Sequence, residues 1–362
     1  YKLCFQCGLC DAVCPWNKVR TFSIRKIIRE AAFGLSEVEG EDIWRCTTCG
    51  TCPAHCPRGV KQIEVSVALR RLASEYEMFP ASVKPARTAR ASLISEGNPL
   101  QGERAKRAEW AKGLSIKTYA EGMEALYFVG CYFSYDPRMK KVAQATVNIL
   151  KKAGVNFGIL GEKENCCGES IRKTGSEKVF KKLAKENIKT FIDNGVKKII
   201  VSSPHCYHTF KNEYPEFMVN FEVLHMNQYV LELINAGRLQ FTGEFEKTVT
   251  YHDPCYLGRH NGIYDEPRDL LNMVSGLSLV EMEACGKNSL CCGGGGGRIW
   301  MDTPQEERFS DIRLRQAEAT GAQILATSCP YCITNFEESR LNLEYEDVLE
   351  VKDITEIINE IL

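Results

Sequence analysis

The sequence has almost no excess of charge of either sign. Its 362 residues carry 46 Lys and Arg against 47 Asp and Glu, a formal net charge of −1, and they form no long basic stripe. Proteins that bind nucleic acid usually concentrate positive charge on one face. Nucleic acid is therefore not expected as a partner.

The sequence also lacks a long apolar run. No stretch approaches the roughly 18 residues that a membrane-spanning helix needs, and no signal peptide is visible. These absences predict a cytoplasmic protein, or one held at the cytoplasmic face of a membrane by a partner subunit. The chain begins at Tyr1 rather than at Met, so whether upstream sequence, including any membrane segment, precedes it stays open.

Cysteine is the residue in excess, with 18 copies. Secreted disulfide scaffolds are normally short and loop-rich, whereas this chain has long helical patterns and clustered C-x-x-C spacings. The cysteines therefore indicate metal ligands in a reducing compartment.

One cysteine spacing occurs twice near the N-terminus, as "CFQCGLCDAVCP" and "CTTCGTCPAHCP". Bacterial-type ferredoxins hold 4Fe-4S clusters with this spacing, and the fourth cysteine of each run ligates the other cluster. Structural zinc is disfavoured because zinc sites usually pair two C-x-x-C knuckles. We expect two 4Fe-4S cubanes with crossed ligands: Cys4, Cys7, Cys10 and Cys56 for the first, and Cys46, Cys49, Cys52 and Cys14 for the second.

The segment between the two runs, "VRTFSIRKIIREAAFGL", has apolar residues mostly at helical intervals. It predicts one helix, and a second is expected near residues 61–77. A helical module of this kind, over residues 1–77, resembles the α-helical ferredoxin domain of succinate dehydrogenase iron-sulfur subunits. Residues 78–124 show no clear period and contain several prolines and glycines, so they are interpreted as a connector.

The remainder consists of two copies of one α/β unit, over residues 125–248 and 249–362. Apolar strands precede Cys131 and Cys255, vicinal cysteines follow in both copies, and "SSPHC" parallels "TSCPYC". These landmarks recur at a spacing of 124 to 126 residues, which indicates duplication. Open α/β folds place ligands at the carboxyl ends of their strands. The cysteines of each copy should therefore converge.

Helix boundaries in the copies are predicted from capping residues. Thr303, Pro304 and Glu306 form a capping box that predicts a helix start. Ser176 predicts another start, for a helix that ends before Gly195 and has Ile192 on its core face.

Five glycines follow the vicinal cysteines of the second copy, in "NSLCCGGGGGRIW". A phosphate-binding loop is disfavoured, since it requires a regular G-x-G-x-x-G after a strand and no vicinal thiols. Five thiolates exceed the four that a cubane or a zinc ion uses. The five are Cys255, Cys291, Cys292, Cys329 and Cys332.

This cysteine pattern resembles the CCG domains of the heterodisulfide reductase catalytic subunit. The order of modules resembles the D-type subunit of that family over essentially the whole chain. The resemblance implies an α+β multidomain protein, with an α-helical ferredoxin domain followed by two tandem α/β CCG domains. It also implies a noncubane 4Fe-4S cluster on the five cysteines, which would be the catalytic residues. Glycines 293–297 would let backbone N–H groups donate to cluster sulfur and let a substrate or partner approach.

The first copy departs from the five-cysteine pattern. Ser203-Pro204-His205-Cys206 stands where the repeat requires C-x-x-C, and a hydroxyl is a far weaker iron ligand than a thiolate. Three outcomes stay open: a further 4Fe-4S cluster with Ser203 or His205 filling the gap, zinc on four thiolates, or an empty pocket. The four remaining cysteines are Cys131, Cys166, Cys167 and Cys206.

Several polar residues flank the cysteines of the two copies. His205, His208 and His252 are candidates to deliver protons to a leaving thiolate, or to hydrogen-bond loop carbonyls. Arg259 and Arg298 either offset cluster charge and dock an acidic partner, or form ordinary surface salt bridges.

The sequence thus predicts an iron-sulfur electron-transfer oxidoreductase subunit. Electrons would pass between the ferredoxin cubanes and the noncubane cluster, either for thiol-disulfide chemistry or as a relay in a larger complex. The alternative is a subunit of an electron-transfer-flavoprotein-, sulfite-reduction- or benzoyl-CoA-reductase-linked complex without substrate chemistry of its own. Expected partners are redox subunits of the flavoprotein, hydrogenase or membrane cytochrome type, or a thiol-disulfide substrate. An open cavity at the second CCG site would favour the substrate.

Overall fold

The computed structural model describes residues 2–362, apart from the side chain of Pro85. Its N-terminal part is helical, as the sequence predicts. The helices are α1 Leu9–Ala12, α2 Ile24–Phe33, α3 Asp42–Arg45, α4 Thr51–Ala54, α5 Gln62–Glu75 and α6 Lys84–Glu96.

Helix α2 shows why this segment is helical. The Ser23 hydroxyl accepts a hydrogen bond from the backbone N–H of Lys26, which satisfies a free donor of the first turn. Ile24, Ile27 and Ile28 are buried along one face, and the left-handed Gly34 ends the helix. The helices predicted between the two cysteine runs and near residues 61–77 are both confirmed, as α2 and α5.

The connector predicted over residues 78–124 contains a helix that the apolar pattern did not predict. Helix α6 buries Ala86, Ala89 and Leu93, which are spaced helically. Two of these residues are alanines, so the hydrophobic period is weak. The proline near the start does not prevent a helix, because the first turn tolerates proline.

The rest of the chain forms two α/β units with equivalent strands, and the first has one more helix between its second and third strands than the second. The first contains β1 Ala125–Phe128, α7 Cys131–Tyr135, α8 Pro137–Lys152, β2 Phe157–Gly158, α9 Glu169–Lys173, α10 Glu177–Asp193, β3 Lys198–Val201, α11 Pro204–His208, β4 Glu222–His225 and α12 Met226–Asn235. The second contains β5 Thr248–Tyr251, α13 Gly258–Asn261, α14 Asp265–Asn272, β6 Ser278–Val280, α15 Phe309–Glu318, β7 Ile324–Thr327, α16 Pro330–Asn342, β8 Glu350–Asp353 and α17 Ile354–Glu360.

Each unit has a four-stranded parallel sheet with the same strand order, β2-β1-β3-β4 in the first and β6-β5-β7-β8 in the second. The central pairs are in equivalent register, with Leu126 opposite Ile199 and Val249 opposite Ile324. The α+β architecture and the duplication inferred from cysteine spacing are therefore confirmed.

The two units pack through reciprocal contacts. Helix α8 of the first lies against α17 of the second, and α12 lies against α14. Arg138 on α8 donates to both carboxylate oxygens of Glu356 on α17, at 2.7 and 2.8 Å. The cysteine-bearing loops of the two units consequently face each other.

Two predicted helix details are wrong. A short 3-10 helix, Gln305–Glu307, follows Pro304, and α15 begins only at Phe309. The Thr303 hydroxyl caps neither helix and accepts a hydrogen bond from Arg298. Ile192 on α10 is 60% exposed, whereas Phe191 is fully buried. The buried face of this helix includes Phe191, and Ile192, about 100° further round, lies on the solvent side of it.

Candidate metal centres

The eight ferredoxin-type cysteines surround two separate cavities. Each cavity receives three cysteines from one run and the fourth from the other, which is the grouping that crossed ligation requires. The first is lined by Cys4, Cys7, Cys10 and Cys56, and the second by Cys14, Cys46, Cys49 and Cys52.

The two runs adopt the same loop shape. Gly8 and Gly50, each just after the second cysteine, have φ of 84° and 80°, a conformation that glycine adopts without steric cost. Gln6 and Thr48, just before that cysteine, also have positive φ. These left-handed residues curl the backbone so that three thiols face one cavity.

Burial raises the pKa of several of these thiols. Desolvation raises the pKa of Cys14 and of Cys52 well above the ordinary thiol value. Burial also opposes ionisation of Cys56, but backbone N–H groups of Val60 and Arg58 outweigh it and lower its pKa. Most of the thiols would therefore ionise only with a cation that compensates their charge, as metal ligation provides.

The five cysteines of the second CCG site converge at the carboxyl ends of β5 and β7. They are between 1 and 7% exposed. The sulfur atoms of Cys292 and Cys332 are 3.3 Å apart. Cys255 contacts Cys291, and Cys329 contacts Cys332. The geometry thus assembles every cysteine that the five-thiolate pattern requires.

The cysteines of the two CCG sites are not gathered in threes as tightly as the ligands of a single zinc ion. Tetrahedral zinc, with Zn–S bonds of about 2.3 Å, holds its sulfurs about 3.8 Å apart. Over residues 2–362, one trio of potential ligand atoms lies within 4.8 Å of one another, and it comprises His252, Cys292 and Cys332. Within that same range, no three cysteines at either CCG site are gathered so tightly.

The first CCG site contains four buried thiols in a chain of contacts. Their order is Cys131, Cys166, Cys167 and Cys206. Ser203 is buried at the start of α11, the position that Cys329 occupies in the second copy. The site therefore has one thiol fewer than its counterpart.

His205 does not fill that gap, so this part of the sequence-based expectation is wrong. Its ring lies between Tyr256 and Tyr331, with centroids 4.1 and 4.2 Å away. It contacts Cys329 of the second site, and its Nδ1 is 3.3 Å from Glu169 Oε2. Next to Cys206 on a helix, it must point about 100° away from that thiol.

Electrostatics around His205 favour the charged ring. Burial favours the neutral form, but Glu169 and Cys329 together raise the pKa of His205 to about 10. Pairing with His205, acting against desolvation, lowers the pKa of Glu169 to about 2. His205 and Glu169, both in the first CCG copy, consequently form a buried ion pair where that copy packs against the second.

His208, a second proton-delivery candidate, lies among side chains rather than loop carbonyls. Its Nδ1 is 3.0 Å from the Asn212 amide nitrogen and 3.4 Å from that of Asn261. Burial lowers the pKa of His208 to about 4, which favours the neutral ring.

A buried ion pair beside the first CCG site was not found from the sequence. Arg107 Nη2 lies 3.7 Å from Cys131 Sγ and donates to Glu164 at 2.6 Å. Glu164 also accepts from the backbone N–H of Val129 and Gly130. Both charged side chains are 2% exposed. Arg107 lies in the segment interpreted as a connector, and no local motif marks it.

We expected all five glycines of the loop to leave open space for a substrate or partner. Part of the loop instead packs against the ferredoxin loop. A Cβ on Gly295 would lie 2.4 Å from the Thr47 carbonyl oxygen, and one on Gly296 2.5 Å from that of Cys46. Arg70, fully buried, donates to the carbonyls of Gly296 and Cys46 at 2.8 and 2.6 Å. The missing side chains let the ferredoxin loop dock directly on the second CCG copy.

Donation from the glycine loop to sulfur agrees with the expectation. The backbone N–H of Gly293 donates to Cys291 Sγ at 3.3 Å. Contacts with Cys291 and Cys332 lower the pKa of Cys292, and the backbone N–H of Gly294 adds to the same effect.

A cleft of about 350 Å³ reaches the second CCG site from outside. Cys292, Gly293 and Gly294 line its inner end, and Trp16 of the ferredoxin part lines one wall. The expected open approach therefore exists over two of the five glycines. Gly295 and Gly296 pack against Thr47 and Cys46, and Gly297 packs against Thr174.

The two arginines that flank the second site do not form surface salt bridges. Arg259 donates to the carbonyls of Cys49 and Ser289, at 2.7 and 2.6 Å. Arg298 donates to the carbonyl of Asp302 and to the Thr303 hydroxyl. Burial lowers the pKa of Arg298 to about 10. These arginines hold loops together, and Arg259 links the ferredoxin part to the second CCG copy.

The second ferredoxin cavity and the second CCG site adjoin. The thiols of Cys49 and Cys291 lie within hydrogen-bonding reach of each other, and Cys291 Sγ is 3.7 Å from Thr47 Oγ1. Two candidate metal centres thus share a boundary with no intervening layer of side chains.

Family comparisons agree with this division of the chain. Residues 1–60 match a 4Fe-4S dicluster domain, and residues 125–211 and 249–337 each match a cysteine-rich domain, CCG. The D-type subunit of the dihydromethanophenazine:CoB–CoM heterodisulfide reductase of Methanosarcina barkeri is 31% identical over 99% of this chain and 93% of its own length. The chain belongs to the family of D-type heterodisulfide reductase subunits. It is accordingly an iron-sulfur protein.

Other relatives are longer. The probable iron-sulfur-binding oxidoreductase FadF of Bacillus subtilis is 38% identical over 88% of this chain and 46% of its own length. The EtfAB:quinone oxidoreductase of Syntrophomonas wolfei is 36% identical over 89% of this chain and 46% of its own. The chain spans about half the length of these two proteins.

A solved structure shares the fold. A hypothetical protein from Helicobacter pylori superposes with a TM-score of 0.52 at 11% identity, covering 93% of this chain and 65% of its own. Within residues 2–362, we find no helix whose length and apolar character would let it cross a membrane.

Proposed function

We propose that this family member is an electron-transfer oxidoreductase subunit with two 4Fe-4S cubanes in the ferredoxin part and a noncubane 4Fe-4S cluster at the second CCG site. The observation that carries the proposal is the contact between Cys49 and Cys291, which joins a ferredoxin-type site to a five-cysteine site. When bound, such clusters accept and release single electrons. The protein's contribution is to hold the sites adjacent and shielded.

The ligand sets follow from the lining of each site. Cys4, Cys7, Cys10 and Cys56 would hold one cubane, and Cys14, Cys46, Cys49 and Cys52 the other. Cys255, Cys291, Cys292, Cys329 and Cys332 would hold the noncubane cluster. The four contacting thiols at the first CCG site support a further metal group there, either an iron-sulfur cluster or zinc.

The exposed end of the electron path is the first ferredoxin cavity. Cys7 is exposed, and Phe5 and Leu9 beside it are 60 and 40% exposed. Arg25 and Arg58 also line this cavity. An apolar rim with basic residues fits a redox partner whose docking face is apolar and acidic. The named relatives, an EtfAB:quinone oxidoreductase and a heterodisulfide reductase component, support a partner of this redox type.

The cleft favours thiol-disulfide chemistry as a second candidate function at the same centre. It reaches Cys292 while the remaining faces of the site are covered by protein. A pure relay needs no such opening, since electrons reach a buried centre without one. A small thiol or disulfide entering the cleft would meet the second CCG site directly.

The test is metal analysis followed by spectroscopy on the purified chain. Three clusters would give roughly 12 iron atoms per chain, at four per cluster, and more if the first CCG site is also filled. Stepwise reduction should show ferredoxin-type signals and a distinct signal from the second site. One zinc at the second site and no third iron-sulfur signal would contradict the proposal.

The two candidate functions differ in their response to thiols. A thiol or disulfide that enters the cleft should perturb only the second-site signal. Thr334→Phe, on the cleft wall, should abolish this effect, whereas Thr334→Val, of nearly the same size, should preserve it. If no thiol or disulfide changes the second-site signal, the relay function is the one supported.

A further inference from the structure

His252 is a buried ring between an arginine and two cysteines of the second CCG site. It is 1% exposed. Arg313 Nε donates to its Nδ1 at 3.1 Å, and a ring nitrogen, Cys292 Sγ and Cys332 Sγ lie within 4.8 Å of one another. Its Nε2 is buried and has no hydrogen-bond partner within the described part of the chain.

The contact with Arg313 decides the tautomer of this ring. A guanidinium group only donates hydrogen bonds, so Nδ1 must accept and cannot carry a proton. A neutral imidazole with an unprotonated Nδ1 carries its proton on Nε2. Burial and the charge of Arg313 also lower the pKa of His252 well below its ordinary value, in agreement with a neutral ring.

A protonated Nε2 has no lone pair to offer a metal. The cluster of His252, Cys292 and Cys332, which has the composition of a small metal site, is therefore not one. Nε2 is instead a fixed donor that lacks an acceptor, on a ring that has one nitrogen within 4.8 Å of two groups that become strong acceptors when they are thiolates. An unsatisfied buried N–H is costly, which favours such an acceptor.

We propose that His252 donates an Nε2–H hydrogen bond to the Cys292 and Cys332 thiolates and thereby raises the reduction potential of the metal group at the second CCG site. The inference rests on the proposed cluster at that site. Reduction adds negative charge, and a donor to the ligand sulfur stabilises the more negative state. Arg313 is the residue that orients the ring.

The first copy provides an internal comparison. Phe128 stands three residues before Cys131, as His252 stands three residues before Cys255. Phe128 packs edge-to-face on Phe210 at 4.6 Å and 87°, and His252 packs edge-to-face on Phe336 at 4.8 Å and 87°. The ring packing is the same in both copies. Of these two equivalent residues, only His252 in the second copy has a ring N–H that can donate a hydrogen bond.

The test compares His252→Phe with His252→Gln in the cluster-containing chain. His252→Phe copies the first copy's own residue, so it keeps the ring packing and removes the donor. His252→Gln retains an N–H near the Nε2 position. Both variants should keep the iron and sulfide content of the unmodified chain. The midpoint potential of the second-site signal should fall in His252→Phe and return towards the original value in His252→Gln, while the ferredoxin potentials stay unchanged.

Two results would overturn the inference. Loss of second-site iron in His252→Phe with intact ferredoxin signals would make His252 a ligand. An unchanged midpoint potential would show that the N–H does not reach the thiolates. Absence of any iron-sulfur signal at the second site of the unmodified chain would instead overturn the proposed function, and this inference with it.

Discussion

At the scale of single residues, two buried charges beside the cysteines have counter-charges that contact them directly. Arg107 is paired with Glu164, and His205 with Glu169. Burying an unpaired ion costs far more than burying a compensated one. The cysteine sites therefore depend on charged residues that can lie far from the cysteines in the sequence and that no sequence motif marks.

The first prediction concerns the Arg107–Glu164 pair. Glu164→Gln would leave Arg107 buried without its counter-charge, so the free energy of unfolding should fall by about 3 kcal/mol. Urea unfolding followed by circular dichroism measures this. Glu103→Gln is the matched control, because its ion pair with Lys106 is at the surface and its loss should not be measurable. If both variants lost the same unfolding free energy, the buried pair would stabilise the fold no more than the surface pair does.

At the scale of elements, the glycine loop and the ferredoxin loop form one joint. Arg70 from α5 donates to carbonyls on both loops, and Arg259 from α13 donates to Cys49 and Ser289. Since side chains on Gly295 and Gly296 would meet backbone atoms, the close approach of two candidate metal centres depends on glycine here.

The second prediction tests this joint with two left-handed glycines. Gly321 has φ of 73° and open space around its Cβ direction, whereas Gly296 has φ of 63° and the Cys46 carbonyl oxygen at 2.5 Å. Gly321→Ala should cost about 1 kcal/mol of unfolding free energy from backbone strain alone. Gly296→Ala should cost at least about 2 kcal/mol, because a steric overlap is added.

The joint can also be tested kinetically. Gly296→Ala should slow reduction of the second site by electrons that enter through the ferredoxin part, as measured by rapid-mixing spectroscopy, and Gly321→Ala should not. Identical rates in both variants would contradict a role of the loop in bringing the centres together.

At the scale of the whole molecule, separate groups of cysteines from distant segments build separate sites. The ferredoxin cysteines come from residues 4–56, and the second CCG cysteines from residues 255–332. The two groups meet at Cys49 and Cys291 without sharing a ligand. The sites should therefore be separable by mutation.

The third prediction follows from this separation. Cys332→Ala should remove or distort the second-site cluster while both ferredoxin-type signals persist in electron paramagnetic resonance spectra. Iron content should fall by roughly four atoms per chain. Simultaneous loss of all signals would show that the metal sites are needed for a single cooperative fold.

The sequence by itself determined the family, the two ferredoxin-type runs, the duplicated α/β unit and the cysteines available to each site, because all of these depend on spacing along the chain. Its errors at Thr303 and Ile192 came from local patterns that a tertiary contact or the direction of a helical side chain overrode. Only the tertiary structure decided that His205 faces the second site, that the glycines pack against the ferredoxin loop, that a cleft reaches Cys292, and that Arg313 orients His252. The physical reason is that each of these contacts joins segments whose relative position is set by the packing of sheets and helices, and neither periodicity nor spacing encodes which side chains meet there.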